Sequence, residues 1–123
     1  MFEALLGLFI KHFICDFPLQ MFSWLYQNKG RYLHPSGIVH AGLHGIGTVI
    51  VLIPFIGSAA LTYAMIDMVV HYHIDWAKIN LSRHYDLTPN KNEWFWVLLG
   101  FDQLLHHLTY FAIIYYAFKH TIS

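Results

Sequence analysis

Asp67, His71 and Asp75 stand four residues apart inside a stretch, Ser58 to Asp75, that otherwise reads as a membrane-spanning helix. On a helix, four residues turn about 400° and rise about 6 Å, so these side chains form one polar stripe about 12 Å long. Ionisable groups on an apolar helix need partners, and the same spacing recurs in His12 and Asp16, His40 and His44, and Asp102 and His106. A fold that brings these pairs to one place is the first requirement on the chain.

The surrounding composition names the solvent. Only 11% of the 123 residues are charged and 57% are hydrophobic, whereas about a quarter of a soluble domain is charged. Each membrane helix needs about 20 residues to cross a hydrocarbon layer of about 30 Å. The expected fold is therefore all-α, a four-span transmembrane bundle forming a single domain over residues 1–123, with spans at about 2–26, 36–53, 58–80 and 93–118. Pro18 interrupts the first span and predicts a bend beside Asp16. Ser36 reads as the N-cap of the second, and Gly42, Gly45 and Gly47 allow close helix approach. A formal net charge of zero gives no nucleic-acid surface. The single cysteine, Cys15, excludes an internal disulfide. The N-terminus lacks the features of a cleavable signal, so the first span is expected to stay.

Trp24, Tyr26, Trp76, Trp94 and Trp96 fall where span ends should meet lipid headgroups. Lys29 and Arg31 lie in the first loop and Arg83 and Lys91 in the third, against no charge in the second turn and Lys119 alone in the tail. Loops one and three are expected in the cytoplasm and both termini outside, in a bacterial inner membrane.

Each carboxylate at the bilayer centre costs about 2.5–3.5 kcal/mol, so Asp16, Asp67, Asp75 and Asp102 together oppose insertion by about 10–14 kcal/mol. Lys11 and Lys78 lie near segment ends and are expected to snorkel toward water. Two divalent cations would balance four carboxylates. The expected metal ligands are His12, Asp16, His40, His44, Asp67, His71, Asp75, Asp102 and His106. Mixed His and Asp donors suit zinc, or non-haem iron as the alternative, better than calcium or magnesium. Gln20, Thr48, Gln103, Thr109 and Tyr110 are positioned to support these ligands. His34, His73, His84, His107 and His120 lie off the stripes and read as interfacial or structural, His107 being the first candidate for an exception, and Lys78, one turn beyond Asp75, is placed either to pair with it or to face lipid headgroups.

The sequence has no HExxH, GxSxG or Walker-type loop, and its only glutamates are Glu3 and Glu93. A two-zinc site activates water near neutral pH, and a carboxylate left unligated, Asp16 or Asp102, would act as general base. Hydrolysis of a membrane-associated ester or phosphoester, from a lipid or lipid-linked substrate, is the expected activity. Two other readings remain open. One is a non-enzymatic protein whose metal or His-Asp network staples a bundle that binds a membrane partner; the other is an ion or proton pathway. The aromatic residues Tyr110, Phe111, Tyr115 and Tyr116 offer an outer face on which a homo-oligomer would form.

The combination His12-x-x-x-Asp16-Phe17-x-Leu19-Gln20, His40 with His44, Asp67-x-x-x-His71-x-x-x-Asp75-x-x-Lys78 and Asp102-Gln103-x-x-His106 resembles a family of small phage and bacterial membrane proteins classified as a domain of unknown function. That resemblance covers nearly the whole chain and implies a small helical membrane protein. A looser similarity is to a group of inner-membrane proteins classed as metal-dependent hydrolases, which also place His and Asp on several spans.

Overall fold

The computed structural model describes residues 1–122, with side-chain surroundings for residues 1–119; the expectation for the His120 side chain falls outside the described residues. The chain is all-helical. Its long helices are α1 (Phe2–Asp16), α3 (Pro35–Ile56), α4 (Ala60–His84) and α5 (Trp94–Ile122), with a short α2 (Ser23–Gln27) between the first two. Each long helix packs on its two neighbours in the cyclic order α1, α3, α4, α5. Successive long helices run antiparallel, the up-down arrangement that short connections favour.

Local chemistry sets the boundaries. Pro18 has no N–H and disfavours a helical residue before it, so α1 stops at Asp16 and a 3₁₀ turn, Leu19–Met21, leads into α2. The first expected span is thus two helices with a break. At 15 residues, α1 alone is about 22 Å long. The cap of α3 is His34 rather than Ser36: its Nδ1 accepts from the Ser36 N–H at 3.2 Å, with Pro35 in the first helical position. Gly57, at φ 58°, turns the chain into α4. That helix continues to His84, placing Arg83 and His84 at its negative dipole end. Asn92 accepts the Trp94 N–H at 2.9 Å and starts α5.

Two stretches, Pro35–His84 and Trp94–Lys119, are long and apolar enough to cross a membrane. The first folds back at Gly57 and contains both α3 and α4. Outward faces carry large apolar side chains, among them Ile10, Phe13, Ile50, Met65, Leu104 and Phe111, all exposed. Inward faces carry the charge. This reverses the usual distribution of a water-soluble domain, in which lysine and aspartate are seldom buried.

Along the bundle axis the interior divides in two. Toward the Met1 and Gly57 end, Ala4, Leu8, Leu52, Ala60, Tyr110 and Ile113 form an apolar core. Toward the loop end the same four inward stripes become polar, through His12 and Asp16, His40 and His44, His71 and Asp75, and Asp102 and His106. Tyr110 is fully buried and belongs to the interior, while Phe111, Tyr115 and Tyr116 face outward as expected. Gly47 has a specific packing reason: a Cβ there would overlap the Lys11 stem, so only glycine lets that lysine run inward.

Candidate metal centre

Asp16 is the hub. As the last residue of α1 it sits at the negative end of the helix dipole. Its Oδ1 lies 3.0 Å from His44 Nε2, 3.1 Å from His40 Nε2 and 3.6 Å from His71 Nε2, while Oδ2 lies 3.1 Å from His12 Nε2. Gln20, one turn past the break, donates to the Asp16 backbone oxygen at 2.7 Å and to Oδ1 at 3.2 Å. The Pro18 break therefore folds the chain back onto the carboxylate.

His40 and His71 bring their Nε2 atoms to 3.2 Å from each other. Four ligand atoms at about 2.0–2.2 Å around a tetrahedral ion stand about 3.3–3.6 Å apart. The known separations among Asp16 Oδ1, His40, His44 and His71, from 3.0 to 3.6 Å, are close to the edges of such a polyhedron. The donor set, three imidazoles and one carboxylate, suits zinc or iron.

A second set adjoins it. Asp75 turns Oδ2 toward His40 and His71, at 3.4 and 3.5 Å, and Oδ1 toward His106 Nε2 at 3.3 Å. His106 Nε2 is also 3.4 Å from Asp102 Oδ1. Among the described residues neither Asp102 Oδ1 nor His106 Nε2, both buried, has a hydrogen-bond partner. With the ring proton on Nδ1, the two atoms would present lone pairs to each other and fit a cation between them; with it on Nε2, the imidazole would turn a donor toward the carboxylates. The His40 and His71 Nδ1 atoms also lack partners, so nothing holds the outer edges of those rings as an acceptor commonly holds a metal-bound histidine. His44, His71 and His106 line up as successive rings, with centroids 3.5 and 4.1 Å apart.

Eight of the nine expected ligands share three overlapping groups: Asp16, His40, His44 and His71; His12, His71 and His106; and Asp75, Asp102 and His106. Asp67 stands outside all three. Lys11 takes it, with Nζ 2.7 Å from Oδ2, and Thr48 donates to the same oxygen. Lys11 is buried rather than snorkelling, because its neighbours Asp67, Tyr110 and the open backbone at Gly47 give the ammonium a route inward. Lys78, a quarter exposed, turns its ammonium to Asp102 at 3.1 Å rather than to Asp75. Asp75 is held by Lys29, from the first loop, at 2.7 Å.

Three of the four carboxylates thus have a lysine. Among the described residues, Asp16 has no lysine or arginine at ion-pair distance and is surrounded by imidazoles. Of the supporting residues, Gln20, Thr48, Gln103 and Tyr110 contact the cluster, whereas Thr109 bonds its own helix at Leu105. Gln103 bridges His12 and Asp102, at 2.8 and 3.0 Å. Of the remaining histidines, His34 caps α3, His73 bonds Val69 and Tyr32, and His84 packs on Tyr85, whereas His107 packs on Phe9 and, edge-on with centroids 5.6 Å apart, on His12 of the cluster.

A family of proteins of unknown function, DUF3307, matches residues 4–123, which includes every residue of this cluster. The chain belongs to that family. No curated protein and no solved structure matches it. Within this DUF3307 protein, the buried His and Asp groups are able to hold a metal ion.

Proposed function

We propose that this DUF3307 protein is an integral membrane protein whose four long helices all enter the bilayer, and that its buried cluster is a two-zinc hydrolytic site. The observation that carries the metal reading is the spacing of Asp16 Oδ1 and the Nε2 atoms of His40, His44 and His71 at ligand-polyhedron distances. Four protein ligands close that position, as in structural zinc sites. Asp75, Asp102 and His106 supply three ligands and leave a fourth position open, as in catalytic zinc sites. Iron fits the same donors and would occupy the same places.

Charge favours a phosphoester over a neutral ester. Lys11, Lys29 and Lys78 already offset three of the four carboxylates. Two divalent ions would leave the cluster with positive charge in excess, which an anionic substrate offsets. Metal supplies an activated water near neutral pH and a Lewis acid for the phosphoryl oxygen. Asp16 and Asp102 both become ligands in this reading, so no carboxylate of the two remains as a separate general base. The loop end, with exposed Arg31, Arg83 and Lys91, faces the cytoplasm of a bacterial inner membrane in this reading.

The test is turnover in vesicles. Purified protein with zinc should hydrolyse a phosphoester lipid such as phosphatidylglycerol or phosphatidic acid faster than it hydrolyses an uncharged acyl ester. Chelator should abolish the activity, and Asp102→Asn should lower it by at least about 100-fold. Background rates from metal-loaded protein would reject the hydrolase. One observation favours the metal-free, non-enzymatic reading: Lys11 Nζ lies 3.4 Å from His44 Nδ1, and His12 Nε2 faces both Gln103 Oε1 and Asp16 Oδ2. Both rings are thereby placed to donate from Nε2 to Asp16, and that bundle would be stapled by hydrogen bonds alone.

A further inference from the structure

Lys78 is the one charged group of the cluster that reaches the surface. Its side chain is 25% exposed, whereas the other ion-paired lysines and aspartates of the cluster are at 7% or less. It lines two cavities between α4 and α5. One, of about 330 Å³, is bordered by Lys78, Ser82, Arg83 and Thr88. The other, of about 450 Å³, is lined by apolar side chains including Ile74, Ala77, Leu98, Phe101 and Leu105, and reaches Asp102.

The smaller cavity is floored by Ile79, Leu87, Phe95 and Leu99, and the polar groups on its border suit an anion. Arg83 makes no ion pair among the described residues, so its guanidinium is available to a ligand, and the Ser82 and Thr88 hydroxyls can donate. The one acid in the lining, Asp86, is already paired with Lys91 at 3.0 Å. Arg83 is also placed: its guanidinium lies over Gly30, where any Cβ would overlap it. The site is at the loop end, beside exposed Tyr85 and Trp94, where headgroups lie if the helices cross the bilayer. The apolar groove runs from there along the outer seam of α4 and α5.

We propose that the α4–α5 cleft binds one phosphate-bearing lipid, its phosphate held by Lys78 and Arg83 and its acyl chain lying in the groove lined by Leu98, Phe101 and Leu105. Charge complementarity selects the occupant: Arg83, Lys78 and two hydroxyls border a cavity whose one acid, Asp86, is paired with Lys91, its remaining lining is apolar, and an almost wholly apolar groove opens beside it. The inference names the substrate class for the hydrolytic reading and rests on that reading for the fate of the lipid, not for its binding. Lys78 joins the two, since it contacts Asp102 on one side and the cavity on the other.

The experiment is native mass spectrometry of the whole protein in mild detergent, titrated with lysophosphatidic acid, with the matching monoacylglycerol and with inorganic phosphate. One lysophosphatidic acid should bind per chain, with the monoacylglycerol at least about tenfold weaker. Arg83→Ala should weaken binding by about tenfold while its melting temperature stays unchanged. Equal binding of the monoacylglycerol, or an unaffected Arg83→Ala, would overturn the phosphate site. Displacement of the lipid by equimolar inorganic phosphate would overturn the acyl groove. Metal measured on the same samples separates the two readings: lipid bound without metal leaves this site standing and removes the zinc hydrolase, and metal without lipid does the reverse.

Discussion

Asp16→Asn is expected to lower metal affinity by more than about 100-fold and, in the metal-free protein, to raise the melting temperature. Loss of a partner that only orients a ligand costs about 10–100-fold, and Asp16 is itself the proposed ligand at the centre of three imidazoles. The stabilising half follows from its surroundings. The carboxylate is buried, sits at the negative end of α1 and has no lysine or arginine beside it among the described residues. Without a cation, a buried charge in that position opposes folding, and asparagine removes the charge while keeping the shape. Titration calorimetry and melting of chelated protein in detergent measure the two effects. A chelated variant that melts lower than the parent would mean that imidazole N–H groups already hold the Asp16 carboxylate, which favours the hydrogen-bonded network.

Lys29→Met should cost about 3–5 kcal/mol, the range for a buried pair that loses one partner. Lys29 is 5% exposed and its Nζ meets Asp75 at 2.7 Å across 46 positions of sequence. With Lys29 gone, Asp75 keeps, among the described residues, only imidazoles at ion-pair distance, His40, His71 and His106. Adding Asp75→Asn should recover most of the loss, because the charge left unpaired disappears. Reversible unfolding of both variants gives the comparison. A loss under about 1 kcal/mol in the single variant would place Lys29 with ordinary solvent-exposed pairs and remove it from the account of the cluster.

The all-helical class and the convergence of the polar pairs were legible because ionisable residues at i and i+4 are rare on apolar helices and have few ways to be satisfied. The pairs at His12 and Asp16, His40 and His44, His71 and Asp75, and Asp102 and His106 all point inward at one level. Asp67 has the same spacing but sits one turn deeper, next to Lys11. Only the tertiary packing of α1 on α3 decides that a lysine reaches it first. Gly47 was a signal for that path, since a glycine opposite a long side chain makes room for it. Lys29 left no such trace: a lysine in a polar loop reads as solvated, and its route to Asp75 depends on how α2 folds the loop over the bundle. The same displacement weakens the positive-charge count at that end, because Lys29 is engaged in the interior. Pro18 was legible as an interruption, but its consequence, ending α1 at Asp16 and bringing Gln20 onto the carboxylate, is a matter of three-dimensional turn geometry.

Elemental analysis of the protein, purified without added metal and without chelator, tests the central claim most directly. The account predicts between one and two equivalents of zinc or iron per chain, falling below about a tenth when His40, His44 and His71 are replaced together by alanine. Protein that is folded and carries no stoichiometric metal, or whose metal content is unchanged by that triple replacement, would contradict it.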